Sequence, residues 1–393
     1  MNNGKFFSGF SFSIFLLITS CMAQALEGET ISKILASQYT LHSDILDEDR
    51  QLLIRLPSQY LESDKYYPVI YVLDAETWFE HAANSSAFLQ RNNRIPENIV
   101  VGIPNRINPP SRGRDMAEQA DTFSQFIEQE VFEFMRNNFR TGEHRTLIGH
   151  SASATYVMRV LATRPELFDN YIAASPWVNV DIFEGIAEHL SAVNFEKSVY
   201  FTLTNIAEEG EELHLRKDNL VELFESSAST SLNWRYDFIA DISHFTTPYP
   251  TIFEGLAFSF YDYTPTRFAN TDSYLDFGGL KEIENYYAQR SRKYSVSSVI
   301  PDHTLVALTT MFIGDKQPIM AKDILEEYVA VYPENLNLHR NLSIAYTALN
   351  QPNKSLAAYE QVVAIATAQR NIYLARYEAR LVELRAQLVQ THE

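Results

Sequence analysis

The chain has 393 residues, room for one large and one smaller domain, and its 46% hydrophobic and 13% aromatic content suits a packed globular protein. Its formal charge of −18, with carboxylates spread along the length, argues against nucleic acid as a partner, because gripping phosphates needs basic patches. Cys21 is the single cysteine and no histidines cluster at metal-ligand spacing, so no disulfide, metal or cofactor is expected in the body of the chain.

Residues 1–25 read as a signal peptide. Lys5 gives a thin positive end, and Phe6 to Ile18 is an apolar run of signal length, too short to span a bilayer comfortably. Two processing sites compete. Ala23-Gln24-Ala25 fits the small-x-small cleavage rule, and Ile18-Thr19-Ser20-Cys21 resembles a bacterial lipobox in which Cys21 becomes a lipid anchor. Either way the chain is expected to leave a bacterial cytoplasm, to be periplasmic or tethered to the envelope, and to carry no transmembrane span.

Residues 145–162 hold the most chemistry. Thr146-Leu147-Ile148 is an apolar, partly β-branched run of the kind a buried strand uses. Gly149-His150-Ser151-Ala152-Ser153 follows, and Ala154 to Ala162 then carries apolar residues at helical spacing. Strand, sharp turn with a central serine, and helix form the context of a nucleophile elbow. The residues around such a serine must be small, because helix and strand nearly touch; Gly149, Ala152, Ser153 and Ala154 meet that demand. The common pattern is G-x-S-x-G, and here Ser153 stands at the second glycine.

With this elbow the chain order is serine, acid, histidine. Val199 to Thr204 alternates and is β-rich, so it reads as a strand. Glu208 and Glu209 are the first carboxylates beyond it. Glu209 is preferred, because the adjacent Gly210 can form the tight turn that aims it; Asp237 and Asp241 are the alternatives. Of the later histidines, His189 and His214 fall in amphipathic helical stretches, and His303, His339 and His392 lie in the C-terminal helical region. His244 stands in a loop directly after the strand-like run Trp234 to Phe238, at the kind of strand end where such sheets place functional side chains.

Beyond about Gly278 the β-rich runs stop. Leu308, Phe312, Ala321 and Leu325 are matched by Leu342, Tyr346, Ser355 and Tyr359, each pair 34 residues apart. That period resembles a tetratricopeptide (TPR) repeat, with Tyr332-Pro333 closing the first unit. About two units are expected from 301 to 368, flanked by helices over 279–292 and 370–389. Two units bury little alone, so they should pack on the rest of the chain or on another chain. They form either a ligand-free helical appendage or a site for a protein or peptide partner.

A set of ordered motifs resembles the esterase-D-like esterases. These α/β-hydrolases include siderophore (enterobactin-type) esterases, S-formylglutathione hydrolase, feruloyl esterases and mycolyltransferases. YYPVIYVLDAETWF at 66–79 resembles the family's Y-P-V-L-Y-x-L-D-G strand, NIVVGIPN at 98–105 its next strand, and Arg112-Gly113-Arg114-Asp115 its R-T-R-D turn. FIEQEVFEFMRNNFRT at 126–141 matches the helix before the nucleophile strand, RPELFDNYIAASPWV at 164–178 the R-P-x-L-F element ending S-P-S-x-W, and HFTTPYPTIFEGLAF at 244–258 the H-x-S-x-x-P element. The resemblance covers roughly residues 35–265.

The resemblance implies an α/β-hydrolase fold with a mostly parallel central sheet over 30–265, a connector over 266–279, and the all-α TPR-like appendage over 280–390. It implies Ser151 as nucleophile and His244 as base, and it favours a glutamate before a glycine, hence Glu209. The oxyanion hole would be the backbone N–H of Ala152 and that of Ala75 or Glu76. Asp74 would otherwise only cap the turn or the following helix. Trp78, Phe79, Trp177 and Phe245 lie near motif ends and are candidates to line an aromatic pocket. The expected activity is hydrolysis of a small ester, a siderophore among the candidates, through an acyl-enzyme. The alternatives are acyl transfer by the same fold and a catalytically inactive, repeat-bearing binding protein.

Overall fold

Eight strands join into one sheet in the computed structural model, which describes residues 34–390 apart from 107–109, 191–194 and 228–230. Residues 1–25, expected to be a signal peptide, lie outside the described residues, Cys21 included. The strands are β1 (Ser37–Ser43), β2 (Glu48–Arg55), β3 (Tyr67–Leu73), β4 (Ile99–Ile103), β5 (Thr141–His150), β6 (Asn170–Ala174), β7 (Ser198–Leu203) and β8 (Asn233–Phe238). Their order is β1-β2-β4-β3-β5-β6-β7-β8. β1, β2 and β4 pair antiparallel, and every pair from β4 across to β8 is parallel. This is the α/β-hydrolase arrangement.

Helices on both faces explain why β3, β4, β6 and β7 are mostly apolar and wholly buried. Alternate residues feed opposite cores. Along β3, Val69, Tyr71 and Leu73 enter one core while Ile70 and Val72 enter the other. After β3 the chain steps to one side for β4 and to the other for β5. The strand order therefore reverses between the neighbours β3 and β5, and a crevice opens beyond their carboxyl ends.

The connector holds more structure than its polar composition suggests. A helix spans Thr271–Phe277, started by reciprocal side-chain bonds between Asn270 and Ser273. Helices Asp302–Gly314 and Pro318–Tyr328 are followed by Leu336–Ala348 and Pro352–Ala368, with starts 34 residues apart (302 and 336, 318 and 352). Leu308, Phe312, Ala321, Leu325, Leu342 and Tyr346 pack into one buried cluster, and Tyr359 belongs to a second with helix Leu374–Gln390.

A boundary drawn at residue 279 cuts through packing. Helix Gly279–Tyr294 contributes Ile283 and Tyr287 to the helical cluster, but its last residue, Tyr294, is buried in the core of the sheet domain. The Tyr294 hydroxyl donates to Asp262 at 2.5 Å, and Arg290 lies 4.2 and 4.4 Å from the rings of Tyr263 and Tyr287. Among the described residues no helix is long and apolar enough to cross a membrane, and no three or more His, Cys, Asp or Glu side chains group as metal ligands would.

Candidate active site

Ser151 sits between the end of β5 and the start of helix Ala152–Thr163, with φ 58° and ψ −120°. A non-glycine residue with positive φ is costly, and the neighbouring structure holds this one in place. The Ser151 N–H donates to the Ala174 carbonyl at 2.9 Å, and its own carbonyl accepts from Thr155 N–H at 2.9 Å. Glycine at 149 is obligatory on steric grounds, since a Cβ there would lie 2.4 Å from the Ser153 carbonyl oxygen.

Ser153, the departure from the common elbow pattern, is fully buried and tied into the strand ends. Its Oγ accepts from His150 N–H at 2.8 Å and lies 2.9 Å from Asp74 Oδ2. Asp74 follows β3 in a left-handed conformation, φ 50°, and is itself fully buried. Arg112 Nε donates to both its carboxylate oxygens at 2.9 Å, and an Arg112 Nη donates to the His150 carbonyl at 3.1 Å. The Asp74 side chain therefore does not cap the following helix. It joins the end of β3 to the elbow, a role that sequence spacing did not reveal. The signal lay in Arg112, in the Arg-Gly-Arg-Asp turn.

A second group of side chains converges from the ends of β6, β7 and β8. Asn205 accepts from the Glu208 N–H and starts the short helix Ile206–Glu209, and Gly210, at φ 83°, turns the chain sharply after it. Glu209 is thereby aimed inward, with its side chain 2% exposed and Oε2 2.9 Å from His244 Nδ1. Its other oxygen accepts from the Ser175 hydroxyl at 2.6 Å. Burial pushes the Glu209 carboxyl up, but the hydrogen bonds from His244 and Ser175 outweigh it and hold the group below the ordinary glutamate range. Glu208 is exposed and accepts from the His244 backbone N–H at 3.1 Å. Asp237 accepts from Tyr200 and Arg235, and Asp241 occupies an exposed turn at φ 60°.

Ser175 has no assigned role in the sequence reading. It also has positive φ, 55°, and its Oγ lies 3.0 Å from Thr247 Oγ1, so it links Glu209 to the segment carrying His244. His150, beside the elbow, supports the same segment. Its Nε2 is 2.9 Å from the His244 carbonyl and the two rings lie 4.9 Å apart. Burial, with the nearby His244 and arginine charges, pushes the His150 pKa down to about 4, so it stays neutral at pH 7 and donates from Nε2.

Ser151, Ala152, Ser175, Glu208, Glu209 and His244 line one cleft of about 600 Å3. Trp177, Phe245, Met116 and Leu213 supply its apolar wall. Among the described residues Ser151 makes no hydrogen bond to His244; such bonds are often long until substrate binds. Trp78 is not part of this wall. It is buried in the core, edge-on to His150 and Tyr249, and Phe79 is buried in the same core. Helix periodicity turns both inward. Ala75 opens the helix Ala75–Arg91 and packs its methyl group at Gly102, where an added Cβ would lie 2.7 Å from it. Its side chain is thus core, and only its backbone could serve the cleft. Met116 and Ala117, which do line the cleft, went unnoticed in the sequence, because the helical segment around them carries no functional pattern.

Residues 43–231 match the family described as "Putative esterase". Over 150 residues the chain is 29% identical to the uncharacterized protein YjcH of Bacillus subtilis, covering 36% of this chain and 62% of that protein. Over 199 residues it is 27% identical to the ferri-bacillibactin esterase BesA of the same organism, covering 42% of this chain and 68% of that protein. The chain therefore spans somewhat under or about two thirds of these curated relatives. An uncharacterised protein from Capnocytophaga ochracea shares the fold with a TM-score of 0.66 at 16% identity, over 89% of this chain and 99% of that one. That likeness extends beyond the sheet into the helical region.

Proposed function

We propose, from the match of residues 43–231 to the "Putative esterase" family, that this chain is a serine hydrolase of carboxylic esters. The observation that carries the reading is the shared cleft. A strained serine at a strand-to-helix turn opens onto the same cavity as a histidine paired through Nδ1 with a buried carboxylate.

Each group then has a task. Glu209 holds His244 with Nδ1 protonated, which leaves Nε2 free to take the Ser151 proton as Oγ attacks the ester carbonyl. The tetrahedral oxyanion is met by the Ala152 N–H, at the first turn of its helix, and by the Ala75 or Glu76 N–H at the start of the helix after β3. First-turn N–H groups have no acceptor within their own helix, so they are free to donate. His244 returns the proton to the leaving alcohol. Water, activated by the same base, then cleaves the acyl-enzyme.

The apolar wall of Trp177, Phe245 and Leu213 favours an aromatic or apolar group beside the scissile bond. Likeness to a ferri-bacillibactin esterase supports a siderophore or related small ester as substrate. The apolar run Phe6 to Ile18 supports export, with processing at Ala23-Gln24-Ala25 or lipidation at Cys21.

The test compares wild type, Ser151→Ala and His244→Ala on p-nitrophenyl esters and by fluorophosphonate labelling. Both variants should lose several orders of magnitude in turnover at nearly unchanged stability, and Ser151→Ala should not label. Turnover by Ser151→Ala at the wild-type rate removes the serine mechanism. A wild-type protein that neither labels nor cleaves any ester favours the inactive binding protein.

A further inference from the structure

His150 reaches from the nucleophile turn to the segment of the base. It adjoins Ser151 in the chain, and its backbone is held on both sides. Its N–H donates to Ser153 Oγ at 2.8 Å, and its carbonyl accepts from Arg112 at 3.1 Å. Ser153 Oγ and Arg112 Nε each lie 2.9 Å from the Asp74 carboxylate, so one buried group anchors both. From this fixed point the imidazole, 2% exposed, extends toward His244. Edge-on contact with Trp78, 5.2 Å between ring centroids, confines it, and Nε2 lies 2.9 Å from the His244 carbonyl oxygen. A carbonyl only accepts, so Nε2 carries the proton. Among the described residues the buried Nδ1 has no hydrogen-bond partner, which leaves the bond to His244 as the one the ring makes.

The other bonds to the His244 segment start elsewhere. Thr247 Oγ1 donates to the same carbonyl at 2.9 Å, but it stands three residues along in the same segment and cannot tie that segment to the elbow. Ser175 and Glu209 fasten the segment to the chain beyond β6 and β7. These contacts orient the imidazole of His244 without reaching the nucleophile turn. Passing a proton from Ser151 Oγ to His244 Nε2 depends steeply on the distance between them.

We propose that His150 is a positioning residue: by linking the Ser151 turn to the His244 carbonyl, it sets the distance across which the serine proton passes. This rests on the esterase reading. His150 touches neither substrate nor the transferred proton and acts through the His244 backbone.

The test compares wild type, His150→Gln and His150→Phe in kcat and KM on a p-nitrophenyl ester, with active sites counted by fluorophosphonate. Glutamine offers an N–H at a reach similar to that of Nε2, whereas phenylalanine keeps a ring against Trp78 and removes the donor. His150→Phe should lower kcat about fivefold, as loss of one neutral hydrogen bond does, with KM unchanged. His150→Gln should recover most of that loss. A proton spectrum gives a readout separate from turnover. The His244 Nδ1 proton, held by Glu209, should resonate far downfield in wild type and His150→Gln, and should broaden through exchange with water in His150→Phe. His150→Leu keeps the test decisive should His150→Phe fail to fold, which circular dichroism checks. Unchanged kcat or an unbroadened resonance in the folded apolar variants, an equal loss in His150→Gln, or a loss confined to KM overturns the proposal. A wild type that cleaves no ester overturns the esterase reading and this inference together, whereas an active wild type with indifferent apolar variants overturns this inference alone.

Discussion

Replacing Ser175 by alanine tests whether Glu209 acts through a supported carboxylate. The hydroxyl donates to Glu209 Oε1 at 2.6 Å, while the other oxygen is engaged 2.9 Å from His244 Nδ1. The carboxylate side chain is 2% exposed, so water cannot readily replace the lost donor. A hydrogen bond to a charged group contributes about 1.5–3 kcal/mol, and stranding a buried acceptor costs a similar amount. If that energy is felt while His244 carries its proton, kcat/KM should fall about ten- to a hundredfold, at about 1.4 kcal/mol per decade. The assay is kcat/KM on a p-nitrophenyl ester for wild type, Ser175→Ala, Glu209→Gln and the double variant. Because the hydroxyl is argued to work through the carboxylate, the double variant should be little worse than Glu209→Gln alone. Additive losses, or a Ser175→Ala loss below about threefold, would refute the linkage.

Gly149→Ala puts a methyl group 2.4 Å from the Ser153 carbonyl oxygen and should destabilise the fold by about 3 kcal/mol in urea unfolding. Tyr294→Ala removes an aromatic ring from the sheet domain's core and should cost about 3–5 kcal/mol; a chain ended at residue 278 should unfold more readily than one ended at 297. His144 is buried between Phe260 and Tyr294, and burial pushes its pKa down to about 4. The unfolded chain, with an ordinary histidine, binds the extra proton first. His144 therefore leaves stability intact above about pH 6.5 and erodes it as pH falls from there toward 4, by up to about 1.4 kcal/mol per pH unit. His144→Gln should flatten urea stability against pH in that window.

Local sequence was enough for whatever depends on near neighbours. The elbow is legible because a strand, a sharp turn and a helix around Ser151 leave room only for small residues, and Gly149 shows why in its clash with the Ser153 backbone. His244 stands out because it directly follows a strand and precedes a helix, and the 34-residue matches from Leu308 to Tyr359 stand out because repeated packing repeats its residues. Tertiary structure alone decided questions about which side chains meet. Glu208 and Glu209 are indistinguishable in composition, and one turn capped by Asn205 and ended at Gly210 sends Glu209 inward and leaves Glu208 exposed. Ser175 and Glu209 are 34 residues apart, and Asp74 and Ser153 are 79 apart; each pair meets because parallel strands end at the same edge of the sheet. Trp78 and Trp177 are equally aromatic in sequence, yet a helix face buries the first and a loop leaves the second on the cleft. Tyr294 looks like part of the helical region and packs in the sheet core instead. Propensity acts over a few residues, whereas burial and charge pairing depend on distances that only the closed chain sets.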